Sequence, residues 1–511
     1  MNGLRLWSGF AVMCVGMFAA ILDIQVVAAS LPAIQQALEI RPDQMSWIQT
    51  AYLIAEIIAI PLTGFLTRRL GMRRLFALGL GMFTLASAGC AASNGFAPLI
   101  ACRVLQGFSG GTLIPSVFSA VFLLFPRERQ DLATTLGGVL AVLAPTVGPV
   151  VGGWITHAYS WHWLFLINLL PGIVCVAAGW FLLPREEMRP EHKIDAVSLL
   201  LMAMALASLE IGLKQAPHEG WISLPMLVAL AAGAGFIWQS LRAAHAVVEL
   251  RNFTDYNFAI GCALSFLLGI GLFGSVYLMP LFLALVRGHN SLRIGQIMLV
   301  TGLAQLASAP LAAKLDKHCD ARPLAAFGFA LFAAGSWLSV RQTPAADFAD
   351  MLWPQILRGF AIMFCLLPPT RIALGLLEKA RVPDASGLFN LMRNLGGAIG
   401  LALIDTVIFG RAESNAGTLV ERLKAGDTAA AEFVGIPLDQ FLAKHDQPLD
   451  SMTEAILRAM IEKAALTQAV GSAWLMITGV MLAALVVIPL ASFTESWSRT
   501  RPRRRYRAGG R

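Results

Sequence analysis

A few charged side chains interrupt the long apolar stretches of this chain, and these groups could carry out chemistry there. Asp23 lies in the first stretch and Glu56 in the second. Apolar surroundings disfavour the charged form of a carboxyl group, so either acid could bind and release a proton or pair with a cationic substrate. Arg103 keeps its charge and could stabilise a nearby carboxylate. We therefore predict that Asp23, Glu56 and Arg103 take part in proton coupling; the alternative for each is a bond that only holds helices together.

Other polar side chains in apolar stretches could line the path of a transported molecule. Gln106 lies three residues after Arg103 and therefore on the same helical face. The predicted pathway residues are Gln25, Gln106, Arg358, Asn390 and Arg393. Glu210 and Asp405 are weaker candidates because they are expected near helix ends.

A second set of residues predicts close and movable helix packing. Gly148 and Gly152 form a small-residue face that lets another helix approach, and Pro149 removes a backbone donor and bends the helix. The predicted packing residues are Gly107, Gly148, Pro149, Gly152 and Gly153. Glycine pairs also occur in static bundles, so this pattern leaves a purely structural role open.

A basic segment over 64–74 closes the second apolar stretch. Gly71 permits a tight turn, and the arginines around it, including Arg73, favour the cytoplasmic side of a membrane. Gly64, Gly71 and Arg73 are therefore gating candidates, and simple anchoring of the topology is the alternative.

These residues require helices that cross a lipid bilayer. The 511 residues are 57% hydrophobic and 14% charged, against about 25% charged in soluble domains, and the mean hydropathy is +0.67. A spanning helix needs about 20 mostly apolar residues. The fold class is therefore predicted as all-α integral membrane, with about fourteen helices over 9–31, 47–66, 75–93, 98–123, 134–156, 163–183, 196–213, 221–240, 257–283, 294–313, 323–340, 352–376, 386–409 and 466–491.

Positive charges collect on alternate loops of this arrangement. With the N-terminus inside, the inner loops hold most of the arginines and lysines. This positive-inside pattern predicts a multi-pass protein with both termini in the cytoplasm. Much of the net charge of +8 lies in the C-terminal tail, which indicates contact with anionic lipid and no binding to nucleic acid.

The predicted helices divide into two groups of six with two between them. The expected boundaries are 1–184 for the first half, 185–255 for inserted helices 7 and 8, 256–492 for the second half and 493–511 for the tail. The second half includes an outer loop over 411–465. Its end carries a capping-box pattern at 451–454, which predicts an amphipathic helix that runs towards helix 14. Arg103 and Arg358 then fall on equivalent helices, as in transporters built from repeats.

The sequence does not favour catalysis. HExxH and the GxxxxGK[ST] phosphate-binding loop are absent, and no soluble domain is large enough to hold a catalytic site. The seven cysteines form neither a CxxC pair nor a Cys/His cluster, which predicts packing roles. We therefore predict no enzyme activity, no catalytic residue, no metal site and no cofactor.

Six blocks of sequence, in order along almost the whole chain, resemble the major facilitator superfamily and specifically its fourteen-helix drug:proton antiporters of the EmrB/QacA type. The blocks cover 22–32, 64–74, 103–107, 148–153, 161–168 and 385–394. Arg68 stands where the loop motif of the superfamily usually has an acid, and Ala144 stands where the motif on helix 5 often has glycine. Arg68 and the long 411–465 loop are more typical of the EmrB branch.

The resemblance implies a major facilitator fold with two six-helix halves and two inserted helices. It also implies proton-coupled efflux of hydrophobic or amphipathic compounds across a bacterial inner membrane by alternating access. The partners would be a small-molecule substrate, protons, a periplasmic adaptor and an outer-membrane channel. One alternative is a dedicated exporter of an endogenous metabolite, fatty acid or siderophore. A more remote one is a non-transporting sensor or scaffold, which has little reason to carry buried charges.

Overall fold

The computed structural model describes residues 3–40, 42–45, 47–185, 195–243, 248–439, 441 and 451–491. The basic tail predicted over 493–511 lies outside these residues. Within the described part the chain is helical, with short 3-10 turns and no strand.

Thirteen of the described helices are long and apolar enough to cross a bilayer, and the count reaches fourteen when a bent pair is taken as one span. This finding confirms the predicted all-α membrane fold. In chain order the spanning helices are α1 (Gly3–Ala37), α2 (Trp47–Leu70), α3 (Met72–Ala91), α4 (Phe96–Leu124), α5 (Arg127–Ala158), α6 (Trp163–Leu182), α7 (Ala196–Glu219), α8 (Leu224–Arg242), α9 (Tyr256–Leu285), α10 (Ser291–His318), α11 (Ala321–Leu338), α12 (Phe348–Leu374), α13 (Val382–Lys424) and α14 (Ser451–Val487).

Helix α13 is longer than predicted, and its extension to Lys424 corrects the expectation of a loop that begins at 411. The helix expected to follow the pattern at 451–454 is present, and it continues without a break into the membrane span of α14. Helix α13 runs without a break to Lys424, and α14 already begins at Ser451. At about 1.5 Å per residue these helices are roughly 65 and 55 Å long, against about 30 Å for a hydrocarbon core. The apolar stretch marks only the membrane, whereas the helix continues because 411–424 contains helix formers and no proline.

The extensions of α13 and α14 form a small apolar core of their own. Leu419, Leu423 and Ile461 pack there with the short helix Thr428–Val434. The side chains of 451–453 lie outside the described residues, so the capping box at 451–454 remains a prediction.

The helices pack as two groups, and only a few helices of one group contact helices of the other. In the first group α1 packs on α5 and α2 packs on α4, and in the second α9 packs on α13 and α11 packs on α12. The groups meet where α2 contacts α13 and where α5 contacts α10. Helices α7 and α8 pack on each other, and α7 also contacts α2 and α13.

One end of the bundle, called the basic end below, carries arginines in the last turns of α2 and α12. There, Arg5 donates a hydrogen bond to the carbonyl of Phe181 at the end of α6 (2.5 Å). Arg322 donates to the carbonyl of Ala491 after α14 (3.3 Å). The first and last described residues therefore lie close to the same end of the bundle.

Candidate proton-coupling and substrate site

Asp23 on α1 is the centre of a buried polar network in the first half. Its carboxylate accepts hydrogen bonds from Nη1 of Arg103 (2.6 Å), Nε2 of Gln106 (3.0 Å) and Nδ2 of Asn168 (2.7 Å). The side chains of Asp23 and Arg103 are both 0% exposed. A charged carboxylate is tolerated at such a position because it is paired and fully hydrogen-bonded.

Arg103 connects this carboxylate to α2. Its Nε donates to the carbonyl of Ile48 (3.0 Å), and its Nη1 also donates to Oε1 of Gln106 (2.7 Å). The guanidinium lies 4.3 Å from the centre of the Tyr52 ring, which adds a cation–π interaction. A change in the charge of Asp23 would therefore alter the contacts that Arg103 makes with α2.

Ser87 on α3 completes the network. Its Oγ accepts a hydrogen bond from Nε2 of Gln106 (2.8 Å) and donates one to the carbonyl of Phe83 (2.9 Å). Five helices, α1, α2, α3, α4 and α6, therefore converge on one carboxylate and one guanidinium. Protonation of Asp23 would remove one charge of the pair and weaken the charge-assisted bonds to it.

Glycines bring the helices around this network into backbone contact. A Cβ atom on Gly107 would collide with the carbonyl of Tyr52, and one on Gly152 would lie 2.6 Å from the carbonyl oxygen of Val26. Gly148 is packed in the same way against Gln25 on α1. These three predicted packing residues therefore allow α4 to meet α2 and α5 to meet α1.

Helix α5 is bent by 44° between its segments Arg127–Pro145 and Val147–Ala158. The bend lies one turn before Pro149, where a proline ring displaces the carbonyl four residues earlier, here that of Pro145. Pro149 and Gly153 are both only partly buried. The expected distortion of α5 is thus present, and it begins at the turn that precedes Pro149.

Glu56 on α2 is 5% exposed and has no hydrogen bond or ion pair with any described residue. It interacts electrostatically with Arg103 and with Glu210 of the inserted helix α7. Lys214, one turn after Glu210, donates a hydrogen bond to Oγ1 of Thr50 on α2 (3.0 Å). Glu210 lies more than two turns before the end of α7, so the expectation that it sits near a helix end is wrong.

Arg358 on α12 lies in a neutral environment within the second half. Its Nη1 donates to Oγ of Ser339 (2.6 Å) and to the carbonyl of Gly335 (3.0 Å), and its guanidinium lies 4.2 Å from the Trp474 ring. No carboxylate of the described residues pairs with it. The structure therefore gives Arg358 a role in holding α11, α12 and α14 together.

Asn390 and Arg393 lie on α13, and they differ in their bonding. Nδ2 of Asn390 donates to the carbonyl of Ser386 in its own helix (2.9 Å). Nε and Nη2 of Arg393 are buried without an acceptor. Asp405, further along α13, accepts a hydrogen bond from the hydroxyl of Tyr277 on α9 (2.7 Å) and lies far from either end of its helix.

The basic end holds a contact between the two halves. Arg68 at the end of α2 forms an ion pair with Asp384 in the first turn of α13. A Cβ atom on Gly64 would lie 2.6 Å from Cα of Asp384, so Gly64 lets α13 approach. On α4, the carbonyl of Pro115 accepts a hydrogen bond from Oγ of Ser386 (3.0 Å).

Gly71 and Arg73 have separate roles at this end. Gly71 has φ 77° and ψ 154°, in the region that favours glycine, and it links α2 directly to α3. The guanidinium of Arg73 lies 4.5 Å from the Trp180 ring on α6. Arg73 therefore contacts its own half, and it is Arg68 that reaches the other half.

Comparison with known proteins identifies the family. The family model described as Major Facilitator Superfamily matches residues 13–401. The chain belongs to the major facilitator superfamily. It is 38% identical to the colistin resistance protein EmrB of Acinetobacter baumannii (78% of this chain, 80% of the relative) and 31% identical to the multidrug export protein EmrB of Escherichia coli (79% and 80%). The fatty acid resistance protein FarB of Neisseria gonorrhoeae is 29% identical (76% and 78%).

A solved structure supports the superfamily fold independently of sequence. The human organic anion transporter MFSD10 matches with a TM-score of 0.60 at 14% identity, over 94% of this chain and 99% of that one. The chain is therefore a multi-pass membrane transporter of the superfamily, and the resemblance to the EmrB branch is confirmed.

Sequence reasoning missed three polar residues of this superfamily member. Asn168 lies at the start of α6 within a block noted for resemblance, and Ser87 lies in α3. Asn168 is a lone polar residue among apolar neighbours, which is the signal that could have identified it, whereas Ser87 shares α3 with Thr84. Asp384 carries no such signal, because an acid beside a helix start is common.

Proposed function

We propose that this chain exports hydrophobic or amphipathic compounds across the bacterial inner membrane in exchange for protons, by alternating access. The observation that carries the proposal is the buried Asp23–Arg103 pair with its three-fold hydrogen-bonded carboxylate. An acid beside a cation that cannot lose its proton changes its interactions when it binds one. The names of the EmrB relatives support export of drugs.

Helix α2 would carry the response from Asp23 to the basic end. Near one end of α2, the carbonyl of Ile48 holds Arg103. In the last turn of the same helix, Arg68 holds Asp384. A proton on Asp23 frees Arg103 from its counter-charge, and a rearrangement of Arg103 moves the helix that closes the contact between the halves.

The available energy is sufficient for export. One charge that crosses about 100 mV releases about 2.3 kcal/mol, and a pH difference of one unit adds about 1.4 kcal/mol. Each factor of ten in a substrate gradient costs about 1.4 kcal/mol. One proton could therefore sustain a gradient on the order of several hundredfold, without nucleotide.

Glu56 is proposed as the second acid of the coupling machinery. It is buried without a hydrogen-bond partner among the described residues, and it interacts with Arg103 and Glu210. A carboxylate in that position can accept either a proton or the cationic group of a substrate. Gln25, which lies next to Gly148 at the contact of α1 and α5, is proposed to line the substrate pathway.

The basic end is proposed to face the cytoplasm, with both termini there, according to the positive-inside rule. The extended α13 and α14 would then project into the periplasm, where an adaptor and an outer-membrane channel complete the route. We propose no enzyme activity, no cofactor and no nucleic-acid partner. A dedicated exporter of a fatty acid or other metabolite is the second candidate, favoured by the name of the FarB relative.

The test is proton release driven by substrate in proteoliposomes that contain the purified protein. A lipophilic dye is added, and proton movement and dye movement are followed together, with and without a protonophore. Asp23→Asn is expected to abolish proton movement that depends on the dye. The matched control is Asp427→Asn, the same substitution at an exposed cap in the α13–α14 extension.

If Asp427→Asn moves protons as the wild type does and Asp23→Asn does not, coupling through Asp23 is supported. If folded Asp23→Asn moves protons and dye like the wild type, the proposed coupling is wrong. A wild type that moves fatty acids and no drug-like dye would favour the second candidate.

A further inference from the structure

Arg393 lies where the two halves of the transporter meet. One side of α13 is pressed against α9, since Cβ atoms on Gly396 and Gly269 would collide with the carbonyls of Phe266 and Arg393. The guanidinium of Arg393 lies 5.8 Å from the ring of Phe118 on α4, in the other half. The side chain therefore occupies the contact between α13 and α4.

Arg393 differs from the other buried arginines in its lack of partners. Arg393 is 7% exposed, and neither Nε nor Nη2 has an acceptor. No hydrogen bond or ion pair joins Arg393 to any described residue. Arg103 and Arg358, in contrast, each donate to at least two acceptors.

A buried guanidinium without an acceptor is costly, because its hydration is lost and nothing replaces it. The rings of Phe118 and Phe389, at 5.8 and 5.4 Å from its Cζ, give only cation–π attraction. Ionisable side chains inside membranes mark the path of a ligand in many transporters. The interface of two repeat halves is also where transporters bind their substrates.

We infer that Arg393 binds the anionic group of the transported compound. The planar fork of a guanidinium matches a carboxylate with two parallel hydrogen bonds. The rings of Phe118 and Phe389 lie beside the guanidinium and would flank the bound group. The preferred substrate is thus an amphipathic organic anion. This inference rests on the proposed export function and adds the chemical class of the substrate.

The experiment measures binding to the purified full-length protein in lipid nanodiscs, without any proton gradient. The probes are pyrenebutyrate, uncharged pyrenebutanol and the corresponding pyrenebutyl-trimethylammonium, followed by fluorescence anisotropy. The variants are Arg393→Gln and Arg393→Lys. Arg411→Gln on the exposed extension of the same helix is the matched control.

Arg393→Gln is expected to weaken pyrenebutyrate binding by about tenfold or more, which corresponds to about 1.4 kcal/mol, and to leave pyrenebutanol binding unchanged. Arg393→Lys should recover part of the affinity, since it keeps the charge without the fork. Arg411→Gln should bind all probes like the wild type.

The inference is overturned if Arg393→Gln, with an unfolding temperature like that of the wild type, binds pyrenebutyrate as tightly as the wild type. Equal loss of all three probes would show a structural role and would also overturn it. Because no gradient is used, failure here leaves proton coupling through Asp23 untouched, and failure of that coupling leaves this binding result valid.

Discussion

The fourth helices of the two halves, α4 and α12, each carry one buried arginine, and the two differ in what surrounds them. Arg103 pairs with Asp23 at 2.6 Å and holds the backbone of α2. Arg358 bonds to Ser339 and Gly335 and lies against Trp474. The exposed fractions of the two side chains are similar, at 0% and 3%.

The difference lies in the presence of a titratable partner. Asp23 is an ionisable group, so the proposed proton exchange would give the environment of Arg103 two charge states. The partners of Arg358 are a hydroxyl, a carbonyl and an aromatic ring, which stay neutral. Under the proposed coupling, the repeated arginine would serve proton exchange in the first half and packing in the second, because Asp23 pairs with Arg103 and no described carboxylate pairs with Arg358.

The largest effect is expected when the buried pair is broken from one side. Asp23→Leu leaves the guanidinium of Arg103 uncompensated and should lower the free energy of unfolding by about 3–5 kcal/mol. Asp23→Leu/Arg103→Met should regain most of that loss, because no buried charge remains. Arg358→Met should cost about 2 kcal/mol, since only bonds to neutral groups are lost. Denaturant unfolding in detergent measures all of these values.

A double-mutant cycle supplies the control for this comparison. If the losses in unfolding free energy of Asp23→Leu and Arg103→Met add up in the double variant, the two side chains do not stabilise each other. A loss at Arg358→Met equal to that at Asp23→Leu would remove the proposed distinction between the halves.

A smaller effect is expected at the contact between the halves. Arg68→Asp places two acids together at the basic end and should lower transport in proteoliposomes about fivefold, since Arg68 is partly exposed and solvent screens the pair. The exchange Arg68→Asp/Asp384→Arg should restore transport. Arg73→Asp is the control, since Arg73 lies at the same end in the first turn of α3 but faces Trp180. It should not be rescued by Asp384→Arg.

Rescue is the decisive outcome for this contact. If the exchanged pair transports no better than Arg68→Asp alone, the ion pair does not act as a gate.

The smallest effect on stability is expected at the N-terminal ends of α4 and α12. Helix α4 follows Gly95 without a side-chain cap, whereas α12 has a capping box formed by Asp347 and Asp350. The hydrogen bond from the backbone N–H of Phe348 holds the pKa of Asp347 below its ordinary value. Hydrogen bonds from the side chains of His289 and Arg287 lower this pKa further, by smaller amounts. Asp347→Ala should lower the unfolding free energy by about 1 kcal/mol at neutral pH.

The sign of the pH dependence follows from that direction. A carboxylate with a lowered pKa in the folded state stabilises above its unfolded pKa of about 3.9, and the contribution is lost as pH falls through the folded value. The difference in unfolding temperature between wild type and Asp347→Ala should therefore shrink between about pH 5 and pH 3. A difference that grows on acidification would contradict this cap.

The sequence allowed good predictions for charged residues in apolar helices and for glycines at helix contacts, because each of these residue types has a definite physical consequence there. Asp23, Arg103 and Gln106 were identified because charged and polar groups are rare in hydrocarbon, and the structure places them in one network. Gly107, Gly148 and Gly152 were identified by their spacing. The prediction of a loop was wrong over 411–424, because apolar length reports the membrane boundary and carries no information on where a helix ends. The capping pattern at 451–454 did indicate the helix that begins at Ser451.

The sequence by itself determined that this chain is a helical membrane protein, because about fourteen apolar stretches must each satisfy their backbone bonds within a helix. It also determined which few charges the membrane would have to accommodate. Only the tertiary structure decided the surroundings of each charge: Asp23 for Arg103, Trp474 for Arg358, Asp384 for Arg68, and two phenylalanine rings without a described hydrogen-bond acceptor for Arg393. The rotation of each helix about its axis decides these pairings, and it depends on packing between residues far apart in sequence.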